Sequence, residues 1–140
     1  MHTKVINMIF ELKAGCLAHE DSIREKFDLS PAEFRCLVTL APKVIMPCNT
    51  LAKKMGLSVS RGSRVVEKMM RNGYLKEVKI EGDRRVVNIT LSIKGIKIRD
   101  SIEGMLEDCE NRILKKISKK EIETLDNLLG RITDTLVDNN

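Results

Sequence analysis

Four basic side chains recur in one segment of the chain at intervals of three and four residues. They are Arg61, Arg64, Lys68 and Arg71. This spacing places all four on one face of a helix. Three serines accompany the N-terminal end of the segment, namely Ser58, Ser60 and Ser63. An arginine fork can bond O6 and N7 of guanine together, and cations further along a helix can meet phosphates. The pattern therefore predicts a helix that reads the major groove of DNA. An amphipathic surface helix with solvated arginines is the alternative interpretation.

The distribution of charge along the chain supports a contact with a polyanion. Residues 43–99 carry 14 Lys or Arg and 4 Asp or Glu, a net charge of +10. The other 83 residues carry 11 basic and 16 acidic side chains, a net charge of −5. A basic block within a mildly acidic remainder is typical of a nucleic-acid-binding surface. A merely solvated basic surface would have the same composition.

The residues before the basic helix have the layout of a helix-turn-helix motif. A short helix is predicted over residues 50–55, and Gly56 after it allows the positive φ that a tight turn requires. Ala52 is small, as a close crossing of two helices requires. Ser58 or Ser60 then caps the basic helix, which is predicted to run to about residue 72.

A β-hairpin is predicted directly after the basic helix. From residue 74 the apolar residues change from a helical period to alternation, on both sides of a turn at residues 81–84. The alternating residues are Val78, Ile80, Val87, Ile89 and Leu91. A hairpin in this position has the place of a wing beside a helix-turn-helix.

The hairpin turn carries a second basic motif. Asp83, Arg84 and Arg85 are followed, after five residues, by Leu91 and Ser92. This spacing, joined to the helix-turn-helix, resembles the MarR family of bacterial winged helix-turn-helix regulators. The resemblance implies that Arg85 enters the minor groove and that Asp83 orients the arginine of the wing through an ion pair. A cation on a thin hairpin also suits the narrow, electronegative minor groove. An ordinary surface pair of Asp and Arg in a turn is the alternative.

The same resemblance implies the fold class and the domain organisation. We expect a mainly α fold with a small β-hairpin wing, in which a winged helix-turn-helix domain is flanked by N- and C-terminal dimerisation helices. The chain is expected to form a single domain over residues 1–140. Its DNA-binding part is expected at about 30–95, and its helical dimerisation part at about 1–20 and 96–140.

Helix signals outside the DNA-binding part agree with this organisation. Capping boxes predict helices that begin after Ser30, with Glu33, and after Ser118, with Glu121. Apolar seams at residues 5–17 and 122–137 are more than one small domain can cover alone. These seams are therefore expected to pair across the two-fold axis of a homodimer.

One residue departs from the usual helix-turn-helix pattern. Gly62 stands where such motifs commonly have a branched apolar residue that packs the recognition helix. A glycine there costs roughly 1 kcal/mol relative to alanine and loosens the helix, or it permits an unusually close approach to the preceding helix.

The four cysteines include no Cys-x-x-Cys pair, so neither a zinc knuckle nor a dithiol of the thioredoxin type is predicted. Cys16, Cys36 and Cys109 lie on apolar stripes, where cysteine is usually a small hydrophobic residue. Cys48 lies in a predicted loop and is expected to be the most exposed thiol. A redox role for Cys16 or Cys48 is the less favoured alternative. Residues 19–21 offer metal-ligand side chains, but such a run is typical of a helix end, and no metal site is predicted.

Other classes of function find little support. The chain contains none of the common phosphate-binding, dinucleotide-binding, zinc-protease or nucleophile-elbow motifs, and no enzyme activity or cofactor is expected. No apolar run approaches the roughly 18–20 residues of a membrane span, and no secretory signal is visible, so a cytoplasmic location is expected.

We therefore predict a sequence-specific transcriptional regulator, expected to be a repressor, that binds a palindromic operator in double-stranded DNA as a homodimer. The sequence identifies no small-molecule effector. A winged-helix adaptor that binds proteins is the alternative, which the basic block disfavours, and a small thiol enzyme is a distant third.

Overall fold

A computed structural model describes residues 4–82 and 85–138 of the chain. The elements within these ranges are α1 (Val5–Phe27), α2 (Pro31–Thr39), β1 (Met46–Pro47), α3 (Cys48–Lys54), α4 (Val59–Arg71), β2 (Leu75–Val78), β3 (Asn88–Leu91), α5 (Ile93–Leu114) and α6 (Lys119–Val137). The mainly α architecture with a hairpin between α4 and α5 is confirmed. The short strand β1 was not predicted.

Two helices begin at complete capping boxes, as predicted. The hydroxyl of Ser30 accepts a hydrogen bond from the N–H of Glu33 at 3.2 Å, and the Glu33 carboxylate accepts one from the N–H of Ser30 at 3.1 Å. Ser118 and Glu121 repeat this exchange at 3.2 and 2.9 Å. Each box satisfies two N–H groups that the first turn of a helix would otherwise leave without partners. The starts of α2 and α6 are therefore encoded locally.

The sheet is antiparallel with the strand order β1-β3-β2. Leu75 lies opposite Leu91, and Val78 lies opposite Asn88, where the pairing of the hairpin ends. The predicted hairpin is therefore too long, because Ile80 and Val87 lie in the connecting segment and are exposed. Neither residue is paired across the hairpin; on the β1 side of the sheet, the carbonyl oxygen of Val87 accepts a hydrogen bond from the N–H of Cys48 at 2.8 Å.

The first of two compact units comprises residues 1–103, and its core lies beneath the helix-turn-helix. The largest fully buried side chains of the described residues are Ile23, Leu37, Leu40, Leu51, Met69, Ile89, Ile102, Val66 and Cys36. They come from α1 to α5, including β3, so helices and sheet contribute to one core. The side chain of Arg99 adds a cap to the end of α2, donating to the carbonyl oxygens of Leu37 and Leu40 at 2.6 and 3.1 Å.

Helix α1 is longer than predicted. It continues to Phe27, so residues 19–21 lie inside the helix and not at its end. Asp28 closes it in the left-handed conformation, at φ 54°. Ile23 is buried, whereas the N-terminal half exposes apolar side chains, among them Phe10 and Leu12.

The second unit comprises residues 104–140. Within its described part, α6 has no buried residue, although it carries a row of leucines. Leu125, Leu128, Leu129 and Leu136 are all exposed in the single chain. The predicted seam is present, and the chain alone leaves it uncovered.

Candidate nucleic-acid interface

Helices α3 and α4 pack so closely that a side chain at position 62 would not fit between them. A Cβ atom added to Gly62 would lie 2.2 Å from Cβ and 3.1 Å from Cα of Ala52. Gly56, in the turn between the two helices, has a φ of 72°. Of the two predicted consequences of Gly62, the structure therefore shows the close approach.

Helix α4 divides into a buried face and an exposed basic face. Gly62, Val66 and Met69 are buried against the rest of the first unit. Ser60, Arg61, Arg64, Lys68 and Arg71 are exposed, and Ser63 is half-buried. The first turn of α4 contains no acidic residue. The positive end of the helix dipole therefore adds to the charge of the arginines.

Ser58 begins α4 as its N-cap. Its hydroxyl accepts a hydrogen bond from the backbone N–H of Arg61 at 3.2 Å. This bond confirms the predicted cap and selects Ser58 over Ser60 for that role. Ser58 is exposed, so its hydroxyl can still donate to an acceptor while it caps the helix.

Lys68 has a partner within the chain. Its ammonium nitrogen lies 3.4 Å from Oε1 of Glu33, whose side chain is only 5% exposed. Oε2 of Glu33 accepts a hydrogen bond from the amide of Asn72 at 3.1 Å. Burial raises the pKa of Glu33, but hydrogen bonds from Ser30 and Asn72 and the charge of Lys68 outweigh it, so the pKa lies below its ordinary value.

This Glu33 cluster links the first turn of α2 to the last turn of α4. Glu33 was predicted from the sequence as a capping residue, and its second role was not predicted. The capping box was the available signal, but the box does not indicate what the other carboxylate oxygen contacts, since Glu33 and Asn72 are far apart in sequence.

A groove of about 330 Å³ separates α4 from the wing. The residues that line it include Ser63 and Glu67 of α4, Arg85 and Val87 of the wing, and Asn49 of α3. The structure thus places the predicted residues Ser63 and Arg85 around one groove. Asp83 and Arg84 lie outside the described residues, and the predicted ion pair of Asp83 remains an expectation.

The cysteines are placed differently from the prediction. Cys48 is the first residue of α3, not a loop residue, and is only partly exposed. Burial raises its pKa, Glu67 raises it further, and a hydrogen bond with Ser63 lowers it in part. Cys16 is the exposed thiol in the single chain, so the expectation that Cys48 is the most exposed is wrong.

The buried thiol of Cys36 behaves as the apolar-stripe interpretation predicts. Burial raises the pKa of Cys36 to about 12, so this thiol stays protonated at neutral pH. Across residues 4–82 and 85–138, no group of three or more His, Cys, Asp or Glu side chains could hold a metal ion. Over the same ranges, no helix combines the length and the apolar character of a membrane span.

Comparison with known proteins identifies the family. A model of the MarR family matches residues 29–87. The HTH-type transcriptional regulator PecS of Dickeya dadantii (strain 3937) is 34% identical over 123 residues, which are 85% of this chain and 74% of PecS. The HTH-type transcriptional regulator BilQ of Clostridium symbiosum (strain WAL-14163) is 26% identical over 73 residues, which are 52% of this chain and 51% of BilQ.

Solved structures agree on the fold. Streptococcus pneumoniae FabT, in a complex with DNA, superposes with a TM-score of 0.81 at 22% identity, covering 97% of this chain and 97% of FabT. A mutant of S. aureus MepR gives a TM-score of 0.78 at 18% identity, covering 96% of this chain and 99% of MepR. The match to the MarR family model and the 34% identity to PecS show that the chain belongs to the MarR family and is a DNA-binding transcriptional regulator.

Proposed function

We propose that this regulator binds a palindromic operator as a homodimer, with α4 in the major groove and the wing in the adjacent minor groove. The observation that carries the proposal is the division of α4 into two faces. One face is fixed against α3 through Gly62. The opposite face presents Ser60, Arg61 and Arg64, whose side chains make no hydrogen bond or ion pair with any other residue that the structure describes. Such a helix can enter a groove without rearrangement, which keeps the entropic cost of binding low.

The apolar surfaces of α1 and α6 support the proposed dimer. We assign the dimerisation part to about residues 1–20 and 96–140 and the DNA-binding part to about 30–95. The exposed apolar residues of α1 and α6 would be covered by the same surfaces of a second copy, as a two-fold interface requires. The two copies of α4 would then contact half-sites about 10–10.5 base pairs apart, or a multiple of that distance.

Repression is the regulatory role that we propose, because a dimer seated on promoter DNA excludes polymerase from it. The protein would act where the chromosome is, in the bacterial cytoplasm. The DNA complex of FabT and the regulatory function of PecS support binding to DNA by this chain.

The test begins with selection of bound sequences from a random duplex pool. The affinity for a selected duplex and for a scrambled duplex is then measured as a function of salt concentration. Arg64→Ala should weaken binding to the selected duplex by about 1–3 kcal/mol and relax the preference at one position of each half-site. Lys26→Ala, which removes an exposed cation from the last turn of α1, is the matched control and should leave the preference unchanged.

A chain that shows neither a sequence preference nor a steep decrease of affinity with salt would not be the proposed regulator. That outcome would favour the adaptor that binds proteins.

A further inference from the structure

The N-terminal turn of α4 exposes one large apolar side chain beside its polar ones. Val59 is the first residue of α4 and is 66% exposed. By contrast, Val66 and Met69 of the same helix are 2% and 0% exposed. Val59 is therefore set apart from the packed face of α4 and belongs to the end that the proposed function places at the base edges.

The neighbours of Val59 are polar and suited to hydrogen bonding, so Val59 is the residue of this turn that can make an apolar contact. Ser60 and Arg61 follow it, and both are exposed. Ser58 before it is engaged with the N–H of Arg61. Val59 also borders the groove between α4 and the wing, together with Ser63 and Arg85. It is thus one of the α4 residues that share this groove with the wing, the other element that is proposed to contact DNA.

We infer that Val59 contacts the 5-methyl group of a thymine in each half-site, an assignment that rests on the proposed function. The thymine methyl is the apolar group that base pairs present in the major groove, whereas the other features there are hydrogen-bond donors and acceptors. A valine seated on it loses exposed apolar surface and leaves no polar group of the base without a partner. The contact specifies thymine against cytosine at one position.

Replacement of thymine by deoxyuridine tests this contact because it removes only the methyl group. The probe is a duplex selected from a random pool and then synthesised with either thymidine or deoxyuridine at every T position. For the parent chain we expect affinity to fall about fourfold per half-site, or about fifteenfold for a dimer on a palindrome, since burial of one methyl group supplies about that factor.

Two substitutions form a matched pair at this position. Val59→Thr and Val59→Ser both introduce a hydroxyl, but only threonine keeps a γ-methyl group. We expect Val59→Thr to retain the loss of affinity on deoxyuridine DNA and Val59→Ser to bind both duplexes equally. Thermal unfolding of each variant confirms that it is folded, and Arg64→Ala should keep the sensitivity to deoxyuridine.

Equal sensitivity to deoxyuridine in the parent chain and in Val59→Ser would overturn the inference and leave the proposed function standing. Absence of sensitivity in the parent chain would do the same. If the parent chain bound all duplexes without a sequence preference, the proposed function itself would be overturned.

Discussion

Replacement of Gly62 by alanine should destabilise the protein, although alanine is the better helix former. The added Cβ would lie 2.2 Å from Cβ of Ala52, whereas carbon atoms in contact are normally about 3.5–4.0 Å apart. Helices α3 and α4 must therefore separate by more than about 1 Å, and overpacking of this kind costs about 1–3 kcal/mol. The higher helix propensity of alanine offsets about 1 kcal/mol of this cost. Because the overlap is severe and the nearest atoms are Cβ and Cα of Ala52, which no side-chain rotation can move away, we expect the free energy of unfolding to fall by about 2 kcal/mol.

Urea unfolding at one fixed protein concentration measures this loss, because the stability of a dimer depends on concentration. Gly104→Ala is the matched control, since Gly104 is also helical and nothing lies within 4 Å of its added Cβ. The free energy of unfolding of this control should rise by up to about 1 kcal/mol. The double variant Ala52→Gly with Gly62→Ala removes the closest contact and leaves one of 3.1 Å to Cα of residue 52.

The double variant should therefore be more stable than the sum of its two single substitutions predicts, which a double-mutant cycle reports as a coupling energy. A Gly62→Ala chain as stable as the Gly104→Ala control would refute the packing argument. So would a cycle without coupling, because the contact between residues 52 and 62 would then carry no strain.

Three further outcomes follow from the same structure. Glu33→Gln should cost about 1–3 kcal/mol at neutral pH. Because the pKa of Glu33 is lowered in the folded state, the ionised carboxylate stabilises the protein at pH values above the ordinary pKa of 4.5. This stabilisation is lost as the pH falls through the folded-state pKa. The free energies of unfolding of parent and variant, measured in urea, should therefore converge in acid. Arg85→Ala should weaken binding across many sequences and reduce the preference for A·T-rich flanks. In a dimer it should also reduce the slope of log affinity against log salt concentration by about 2, and an unchanged slope would argue against a wing that contacts DNA. Deletion of residues 123–140 should give a monomer or an insoluble product in light scattering, and a well-folded dimer would contradict the assigned interface.

The sequence predicted those parts of the fold whose determinants are local. Ser30 with Glu33, and Ser118 with Glu121, specify helix starts within four residues, and Gly56 specifies the turn by its freedom at positive φ. Strand β1 was missed because two residues, one of them Pro47, carry no period and acquire their pairing only from β3.

The candidate site was predictable to a similar extent. The exposed face of α4 follows from helical spacing alone, so Arg61 and Arg64 are found without a structure. The link from Glu33 to Asn72 depends on how α2 lies against α4, which spacing cannot express. The exposure of Cys16 and Cys48 depends likewise on packing between elements, and the prediction for Cys48 was wrong for that reason.

The basic stripe of α4 serves two purposes in the arrangement that we propose. Arg61 and Arg64 project from the N-terminal half, where Gly62 holds the helix against α3. Lys68 projects from the C-terminal half and is paired with Glu33, which is nearly buried and would be costly to leave without its partner. Because Glu33 already compensates part of its charge, Lys68 gains less from a contact with a phosphate than an unpaired cation would. Contacts near both ends of α4 thus hold the helix against the rest of the first unit, and Arg61 and Arg64 project from it on either side of the Gly62 contact.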